Sequence, residues 1–544
     1  MENFSLLYPS GKTPAFQTLR SEACNDLSLD KILDYITEND AEKKTLREMM
    51  VRLESSPEVI RYRCDVFEDI FRFPALRSKM QEMLEQLDYL KTIGKSFKDE
   101  SVAPIWQLVN RLKELEAYAD CMMGIRQALK DCDVRSEGLK KLEKYVSSVC
   151  ESSGFEHLKA DIDGLLTETS RIQSITLGVN LDERLCPVEV GIMSINEDKI
   201  DHTGVLDNFL GFCAKFTELI NLNSGSMTRI HTAAGSAEED PLMKNLSRAV
   251  TDMLSTTVKH LKTKLARYVN ISAYSLTKFI PELLFYIRWA DFCQRVTQAG
   301  LPMSRPEILN TRNSALNASE MYDIKLAISV LSGKNLHVVT NDFEFSTEHG
   351  IYIMTGPNRG GKTTFTQAVG MMFLMAQHGI YVPAKHLSLS PCDNIFTHFP
   401  ADENKTVHLG RLGEEAKRIN LIFSEATEQS LLLFNEPLAS TSFTEGLYIA
   451  KDVVQALRCL GARTIFNTHM HELAMNLDEI NAENGKLKAA SLITGIRDGE
   501  RSYKVLIAPP EGISYARDIA EKYGVTLHQL KQTMQQSEQS ERAS

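Results

Sequence analysis

The sequence contains 544 residues, too many for a single hydrophobic core, and two to four domains are expected because a domain usually contains about 100 to 200 residues. Hydrophobic residues make up 43% and charged residues 24%, which is typical of folded soluble proteins and excludes an extensively disordered chain. The formal net charge of −11 does not favour a nucleic-acid partner, although a local basic surface would be sufficient for one.

Residues 1–330 are predicted to be predominantly helical. The chain opens Met1-Glu2-Asn3-Phe4, without the basic stretch and apolar run of a signal peptide. Apolar residues recur at helical spacing over 242–298, where only Pro281 interrupts the pattern. The shorter segments with the same spacing are 30–36, 76–89, 102–129 and 136–149. Such segments are typical of long helices that pack against one another.

One stretch within the helical region is expected to form a β-hairpin. The strand-like segments 174–179 and 188–195 flank a polar turn at 180–184. Farther along the chain, 223–240 is rich in Ser, Gly, Ala and Glu and is expected to be an exposed loop.

The pattern changes after about residue 330, where short apolar strands alternate with helices. The predicted strands are 336–339, 351–355, 431–434 and 464–466. This alternation indicates an α/β region with a largely parallel sheet. The best apolar stretch, 370–376, is far shorter than the roughly 20 residues that span a bilayer, so we expect a cytoplasmic protein without a membrane partner. The sequence becomes polar from Thr526 onward, and we expect this tail to fray.

The strongest functional signal is a glycine-rich loop between a predicted strand and a helix predicted over 365–376. The phosphate-binding pattern G-x-x-x-x-G-K-[ST] is matched in full by Gly356-Pro357-Asn358-Arg359-Gly360-Gly361-Lys362-Thr363. Glycines let the backbone turn tightly and point N–H groups at phosphate oxygens, and the helix N-terminus attracts the same anion. Lys362 can reach the β- and γ-phosphates, and the Thr363 hydroxyl can bind Mg²⁺. We therefore expect ATP and Mg²⁺ as ligands; the alternative is a chance glycine-rich loop.

The strand predicted over 431–434 ends in two polar residues, Asn435 and Glu436, in the layout of a Walker B segment. The first of these positions usually carries an Asp that helps to hold Mg²⁺. Asn435 is neutral but still offers a carbonyl oxygen, and Glu436 could act as the general base. The alternative interpretation of Asn435 and Glu436 is structural: they would end the strand and have no role in binding or catalysis.

The strand predicted over 464–466 is followed by two histidines, His469 and His471. A histidine at this place in an ATPase can hydrogen-bond the γ-phosphate or the attacking water. The position directly after the strand favours His469 for this role. Either histidine could instead be a structural core or cap residue.

These residues resemble the MutS family of DNA mismatch-repair ATPases. The segment GPNRGGKTTF resembles the phosphate-binding loop of that family, including the Pro-Asn after the first glycine. Further segments that resemble the family are 339–342, 378–384, 395–397 and 467–473, with weaker matches at 26–30, 62–67, 502–503 and 512–520. The resemblance covers most of the chain, and it is specific between about residues 338 and 475.

The resemblance implies an α + α/β fold in which a long-helix region precedes an ABC-type P-loop ATPase domain. Residues 1–330 would form a helical core with lever helices and a clamp-like insertion, 331–525 the ATPase domain, and 526–544 a polar tail. It also implies a homodimer in which each nucleotide lies between the phosphate loop of one subunit and a signature segment of the other. ATP binding would then change the posture of the levers and of a clamp that embraces DNA.

The family roles are transferred to this chain residue by residue. The loop from Gly356 to Thr364 would hold the phosphates, and Thr363 and Asn435 would hold Mg²⁺. Glu436 would be the catalytic carboxylate and His469 the histidine linked to the γ-phosphate. Asn341 is expected to lie near the adenine.

Four departures from the family pattern weaken the expectation of mismatch recognition and of fast hydrolysis. The sequence begins in the core-like region, without a mismatch-reading domain, and it ends soon after His469. The usual Asp of the Walker B segment is Asn435, and the run 438–442 also differs from the family. The signature Ser-Thr-Phe is replaced by 410–412, while Glu415 is kept.

Three functions remain open on sequence grounds. The first is a MutS-like ATPase that clamps on mismatched, damaged or branched DNA, and the second is a nucleotide-switched interaction protein with weak hydrolysis and no need for DNA. The third, an ABC ATPase of a transporter or chromosome-organising type, is disfavoured because neither a membrane segment nor a long heptad repeat is found. A basic cluster suits DNA contact or a solvated helix face, and it consists of Lys259, Lys262, Lys264 and Arg267.

Overall fold

The computed structural model describes residues 4–12, 16–96, 104–170, 173–184, 187–199, 255–268, 271, 273–310, 315–346, 348–357, 359–400, 410–497, 500–510 and 523–533. Helices and strands both contribute, as an α + α/β protein requires. No helix in these ranges is both long and apolar enough to cross a membrane.

The first part of the chain alternates short strands and helices and then becomes helical. Its first elements are β1 (Phe16–Thr18), α1 (Ser21–Asp26), α2 (Leu29–Ile36), α3 (Asp40–Met50), β2 (Arg52–Glu54) and α4 (Pro57–Arg72). The elements that follow are α5 (Pro74–Ser96), α6 (Pro104–Lys130), α7 (Glu137–Cys150), α8 (Ser153–Ser170), β3 (Ser174–Leu181), β4 (Pro187–Asn196), α9 (Ser255–Leu265) and α10 (Ile280–Gln298). Two 3₁₀ helices, Ala266–Tyr268 and Ala273–Phe279, lie between α9 and α10.

The remaining chain is an α/β region. Its first elements are β5 (Glu307–Ile308), β6 (Leu316–Met321), α11 (Ile324–Leu331), β7 (Asn341–Phe345), β8 (His349–Thr355), α12 (Lys362–Gln377), β9 (His386–Leu389) and β10 (Ile395–His398). It continues with α13 (Gly410–Glu425), β11 (Leu431–Asn435), α14 (Phe443–Leu460), β12 (Arg463–Asn467), α15 (His471–Met475), α16 (Leu477–Ala482), β13 (Lys488–Arg497) and β14 (Glu500–Ile507).

Most elements predicted from the sequence are confirmed, with small shifts of their ends. This holds for the helices predicted over 30–36, 76–89, 102–129, 136–149 and 365–376, for the antiparallel hairpin β3–β4, and for the strands β8, β11 and β12. The loop predicted over 223–240 and the first part of the helix predicted over 242–298 lie outside the described residues. In the tail, residues 527–533 form a helix.

The strand predicted over 336–339 is wrong. Residues 334–340 have no regular secondary structure, and Leu336 is exposed. The strand is β7 instead, in which Asn341, Phe343 and Phe345 are buried while the residues between them are exposed. β7 pairs with β6. The pairing is therefore specified by the alternation of buried and exposed residues in β7, and not by the short apolar run before it.

The interruption predicted at Pro281 is wrong in its position. Pro281 is the second residue of α10, where the lack of an N–H group costs little because the first N–H groups of a helix have no partner within it. The regular helix is interrupted earlier, by the two 3₁₀ helices over 266–279. Pro281 therefore begins a helix and does not interrupt one.

The chain divides into two compact units. One unit contains 73–135 and 139–283, where α5, α8 and α9 pack against α6. The other unit contains 2–72, 136–138 and 284–544. The domain boundaries expected from the sequence, after residues 330 and 525, stay a prediction.

A six-stranded sheet organises the second unit, in the order β10-β11-β12-β8-β13-β14. The first five strands are parallel, and β14 is an antiparallel edge strand. Every residue of β11 and β12 is buried, which is typical of parallel strands covered by helices on both faces. Asn435 pairs with Asn467 in the register of these strands, so their carboxyl ends meet at one edge of the sheet. Open α/β sheets usually bind their ligands at this edge.

Helix α12 is buried between the sheet and the segment 21–54 of the same unit. Two side chains of α12 and the side chain that directly follows it contact backbone carbonyl oxygens of that segment. Gln367 Nε2 donates to the oxygen of Asp26 at 2.6 Å, and Gln377 Nε2 donates to the oxygen of Glu54 at 2.7 Å. His378 Nε2 lies 3.1 Å from the oxygen of Met49. Burial of His378 lowers its pKa to about 4, so the imidazole is neutral at physiological pH. The helix that follows the glycine-rich loop is thus fixed along its whole length.

Candidate functional site

The glycine-rich loop connects β8 to α12 at the carboxyl edge of the sheet. Gly356 has φ +140°, and a Cβ there would lie 2.1 Å from Thr494 Oγ1 of the neighbouring strand β13. Gly361 has φ +95° and precedes the first residue of the helix. Both positions therefore require glycine for the backbone conformation, and Gly356 also requires it for space. Asn358 lies outside the described residues.

Lys362 is the first residue of α12 and is buried beneath the loop. Its Nζ donates hydrogen bonds to the carbonyl oxygens of Gly356 (3.0 Å) and Pro357 (3.2 Å). Burial lowers the pKa of the Lys362 ammonium below its ordinary value, and the carboxylate of Glu436 opposes that shift. A phosphate held by the loop would oppose it in the same way. Gly360 closes the turn, since its N–H donates to Pro357 O at 3.0 Å.

Thr363 and Thr364 occupy the first turn of α12, and both are half-buried. The Thr363 hydroxyl donates to Asn435 Oδ1 at the end of β11, at 2.9 Å. Two neutral oxygens thus lie side by side next to the phosphate loop. Hydroxyl and amide oxygens are ligands that Mg²⁺ accepts, usually together with waters and substrate phosphates. The residues predicted for the metal are brought together, and their chemistry fits Mg²⁺.

Glu436 and His469 form an ion-pair geometry beside this cluster. Glu436 Oε1 lies 2.6 Å from His469 Nε2. The hydrogen bond from His469 holds the pKa of Glu436 below its ordinary value, partial burial opposes this, and the charges of His469 and Lys362 reinforce it. Glu436 has φ +51°, and its N–H donates to Asn467 O at 2.9 Å. A left-handed backbone conformation at a non-glycine residue costs energy and marks a site where geometry is enforced by its surroundings.

His471, the second histidine considered from the sequence, begins the short helix α15. Partial burial lowers the pKa of His471 below its ordinary value. Its Nδ1 has no hydrogen-bond partner among the described residues, whereas His469 contacts Glu436 directly. The geometry therefore favours His469 as the functional histidine.

Asn341, predicted near the adenine, uses its amide to hold strand β14. Its Nδ2 donates to Tyr503 O at 3.2 Å, and its Oδ1 accepts from Val505 N at 2.8 Å. These two bonds fix the backbone of Tyr503, a residue that the sequence reasoning did not select. The adenine contact of Asn341 stays a prediction.

Tyr503 presents an aromatic ring beside the loop. Its side chain is 46% exposed, its φ is +55°, and its Cδ1 would lie 3.5 Å from a Cβ added at Gly361. An exposed aromatic ring at the end of a phosphate loop is a suitable platform for a nucleotide base. The left-handed backbone at Tyr503 was not recognisable from the sequence, because Tyr has no preference for it.

Glu415 connects α13 to the turn that follows β11. Its Oε2 accepts from Leu438 N at 2.7 Å, and Leu438 has φ +63°. Helix α13 begins at Gly410, where the signature-like segment 410–412 was assigned. Glu415 therefore stabilises the strained turn beside Glu436 from the side of that segment.

The basic cluster on α9 is partly neutralised within its own unit. Lys264 and Arg267 lie 3.2 and 3.8 Å from the carboxylate of Asp161, which also accepts from Tyr268 at 2.7 Å. Lys259 and Lys262 are exposed. Only part of the cluster is thus available for contacts with phosphates.

Comparisons with known proteins identify both parts of the chain. Residues 352–532 match the family description MutS domain V, and residues 55–299 match the description MutS2 N-terminal domain. A protein of Fervidobacterium nodosum called DNA mismatch repair protein MutS is 27% identical over 75% of this chain and 52% of its own length.

Two further relatives match a smaller share of the chain at higher identity. The DNA mismatch repair protein MutS of Chlorobium chlorochromatii is 33% identical over 35% of this chain and 23% of its own length. The endonuclease MutS2 of Alkaliphilus oremlandii is 33% identical over 39% of this chain and 26% of its own length. The chain spans about half, or less, of the length of these curated relatives.

Proposed function

Because the chain belongs to the MutS family, we propose that it is an ATPase that binds ATP with Mg²⁺ at the carboxyl edge of the six-stranded sheet and, as a dimer, couples hydrolysis to clamping on mismatched, damaged or branched DNA. The observation that supports the ATPase most strongly is the meeting of distant residues: Thr363 bonds to Asn435 across 72 residues of chain, and Glu436 to His469 across 33. A chance glycine-rich loop would not collect these partners.

The loop and the N-terminus of α12 would bind the triphosphate. Backbone N–H groups of the loop and the positive end of the helix favour an anion there. Lys362 would leave the loop carbonyls for the β- and γ-phosphate oxygens, which are stronger acceptors for an ammonium group. Thr363 and Asn435 would hold Mg²⁺, which supplies positive charge to the phosphates.

Hydrolysis would use the Glu436–His469 pair. As the oxygen of a water molecule forms a bond to the γ-phosphorus, the bond from that phosphorus to the bridging oxygen breaks, and Glu436 takes the proton released by the water. The lowered pKa of Glu436 favours the ionised carboxylate, which is the form that can accept that proton. His469 would orient the carboxylate and contact the γ-phosphate.

The base would lie against Tyr503. Asn341, which fixes the backbone of Tyr503, would then lie near the adenine, as the sequence predicts. Stacking on an aromatic ring is worth about 1–3 kcal/mol per base.

ATP hydrolysis by the purified protein tests this proposal. We would measure it without DNA and with homoduplex, mismatched and branched DNA, at low and moderate salt. The expected result is turnover that DNA stimulates and that salt weakens, since contacts with phosphates release counterions. Lys362→Ala is the control for a contaminating ATPase. If turnover survives this change, hydrolysis does not take place at the phosphate loop of this protein.

A pair of matched charge reversals tests the DNA part separately. Lys259→Glu with Lys262→Glu alters the exposed part of the basic cluster, whereas Lys140→Glu with Lys144→Glu alters exposed lysines on α7. DNA clamping through α9 predicts that only the first pair weakens DNA binding. Equal effects of both pairs would mean that α9 has no special role.

The alternative is a nucleotide-switched interaction protein with weak hydrolysis. The neutral Asn435, the net charge of −11 and the pairing of Lys264 and Arg267 with Asp161 favour it. Tight ATP binding without any effect of DNA at either salt concentration would support this second function.

A further inference from the structure

Two asparagines face each other at the ends of neighbouring strands of the main sheet. Asn435 ends β11, Asn467 ends β12, and the two are partners in the strand register. Asn467 is fully buried and Asn435 is 6% exposed. An amide has a donor end and an acceptor end, so the function of Asn435 depends on which end it turns toward Thr363.

A chain of hydrogen bonds sets this orientation. The Thr366 hydroxyl donates to Lys362 O at 3.1 Å, and a backbone carbonyl can only accept. Thr366 Oγ1 therefore accepts from Asn467 Nδ2, at 2.7 Å. The same Nδ2 donates to Asn435 Oδ1 at 3.0 Å, and this oxygen also accepts from Thr363 at 2.9 Å. The carbonyl oxygen of Asn435 thus faces Thr363.

The opposite orientation is disfavoured by the same neighbours. If both amides were rotated, Asn435 would present its NH₂ group to Thr363, and a donor there would repel a cation. The NH₂ group of Asn467 would then occupy the place of its Oδ1, which has no hydrogen-bond partner among the described residues. Two buried hydrogens without an acceptor are worse than one buried carbonyl oxygen without a donor.

We infer that Asn467 is a positioning residue that holds the carbonyl oxygen of Asn435 toward Thr363 and so makes a neutral Walker B side chain usable in the Mg²⁺ site. This inference rests on the proposed function, because it concerns the metal that accompanies ATP. A carboxylate at position 435 would need no such partner, since both of its ends accept. Asn467 is therefore needed to orient residue 435 only because that residue is an amide.

A double-mutant cycle separates this role from a structural one. The four proteins carry the native pair, Asn467→Ala, Asn435→Asp, or both changes, each together with Glu436→Gln to prevent turnover. Binding of radiolabelled ATP is measured in EDTA and across a Mg²⁺ titration, and thermal unfolding reports whether each variant folds. Loss of a residue that orients a metal ligand typically costs about 10- to 100-fold in metal affinity.

We expect Asn467→Ala to raise the Mg²⁺ concentration for half-maximal ATP binding about tenfold or more beside Asn435, and to leave it nearly unchanged beside the Asn435→Asp change. In EDTA, the Asn467→Ala change should leave ATP binding the same within each background. An equal loss in both backgrounds, or a loss that is already present in EDTA, would overturn the inference.

A second variant covers the case in which Asn467→Ala does not fold. Thr366→Val removes the hydroxyl that receives Asn467 Nδ2, and it should raise the Mg²⁺ requirement in the same direction. No change in that requirement would contradict the inference. If the native protein binds no ATP with or without Mg²⁺, the proposed function fails first, and this outcome differs from all the others.

Discussion

The loop 356–361 and the strand ends at 435–436 and 467–469 meet in one site, but different parts of the chain build them. In the loop, the backbone makes the site: two glycines with positive φ aim N–H groups, and Thr494 leaves no space for a Cβ at Gly356. At the strand ends, side chains make the site, and each amide or carboxylate is oriented by a neighbour. Substitutions in the loop should therefore act through the space that they occupy. Substitutions at the strand ends should act through the exchange of hydrogen-bond donors and acceptors.

The largest effect is expected from a methyl group in the loop. Gly356→Ala should abolish ATP binding and lower the free energy of unfolding by about 3 kcal/mol, through a φ that non-glycine residues disfavour and an overlap with Thr494 Oγ1. Chemical denaturation and ATP titration measure the two effects. Thr494→Ala in the same protein should restore part of the stability.

Gly361→Ala is the matched control for that change. It introduces the same methyl group at φ +95°, but the nearest atom would be 3.5 Å away. Its effect on unfolding should be about 1 kcal/mol, because only backbone strain is added. Equal effects at both glycines would mean that contact with Thr494 does not shape the loop.

The next effect concerns polarity at the strand ends. Glu436→Gln keeps the shape of the side chain but removes the base, so kcat should fall about 100-fold or more while ATP binding is kept. Single-turnover hydrolysis and ATP titration measure the two quantities. Glu428→Gln, at an exposed carboxylate paired with Lys486, is the control. Turnover near that of the native protein would assign the base to another residue.

A smaller effect is expected at the ring beside the loop. Tyr503→Ala should weaken ATP binding about tenfold, because a base would lose its stacking surface, while Tyr503→Phe should bind nearly as the native protein does. Titration with ATP and with inorganic triphosphate distinguishes base from phosphate contacts. Equal loss for both ligands would indicate damage to the loop and not to base stacking.

The smallest effect is a shift in pH dependence. Glu436 acts as a base only when ionised, so activity falls as pH drops through its pKa. Since the hydrogen bond from His469 lowers that pKa, His469→Leu should raise it and move the acid limb of the pH–rate profile toward higher pH. Single-turnover rates across the acid range measure the limb. A limb that stays in place or moves toward lower pH would exclude this role of His469.

The two regions also differ in how far the sequence predicts them. The loop is a run of consecutive residues between a strand and a helix, so local pattern is sufficient for its prediction. The polar ends of β11 and β12 can be recognised singly, but the contact of Asn435 with Asn467 depends on the strand order, which no local spacing contains. The sequence therefore predicts the candidate residues one by one, but not the contact through which Asn467 orients Asn435.

The errors in the fold have the same origin. An apolar run at 336–339 suggested a strand, but pairing with β6 selected the alternating residues of β7. Tyr503 was not selected because no local pattern shows its exposure, its left-handed backbone or the bond that its carbonyl oxygen accepts from Asn341, 162 residues away in the chain. Both features depend on contacts between residues that are far apart in the chain, and a single sequence does not show which residues make such contacts.

The three contacts from α12 and His378 to the segment 21–54 all end on backbone carbonyl oxygens. A carbonyl is present whatever side chain its residue carries, so these contacts place no restriction on the identity of Asp26, Met49 or Glu54. The contacts that dock the helix are therefore independent of these three side chains, provided that the local backbone keeps its course. Substitution of Asp26 or Glu54 would act instead through the carboxylates, which accept hydrogen bonds of their own.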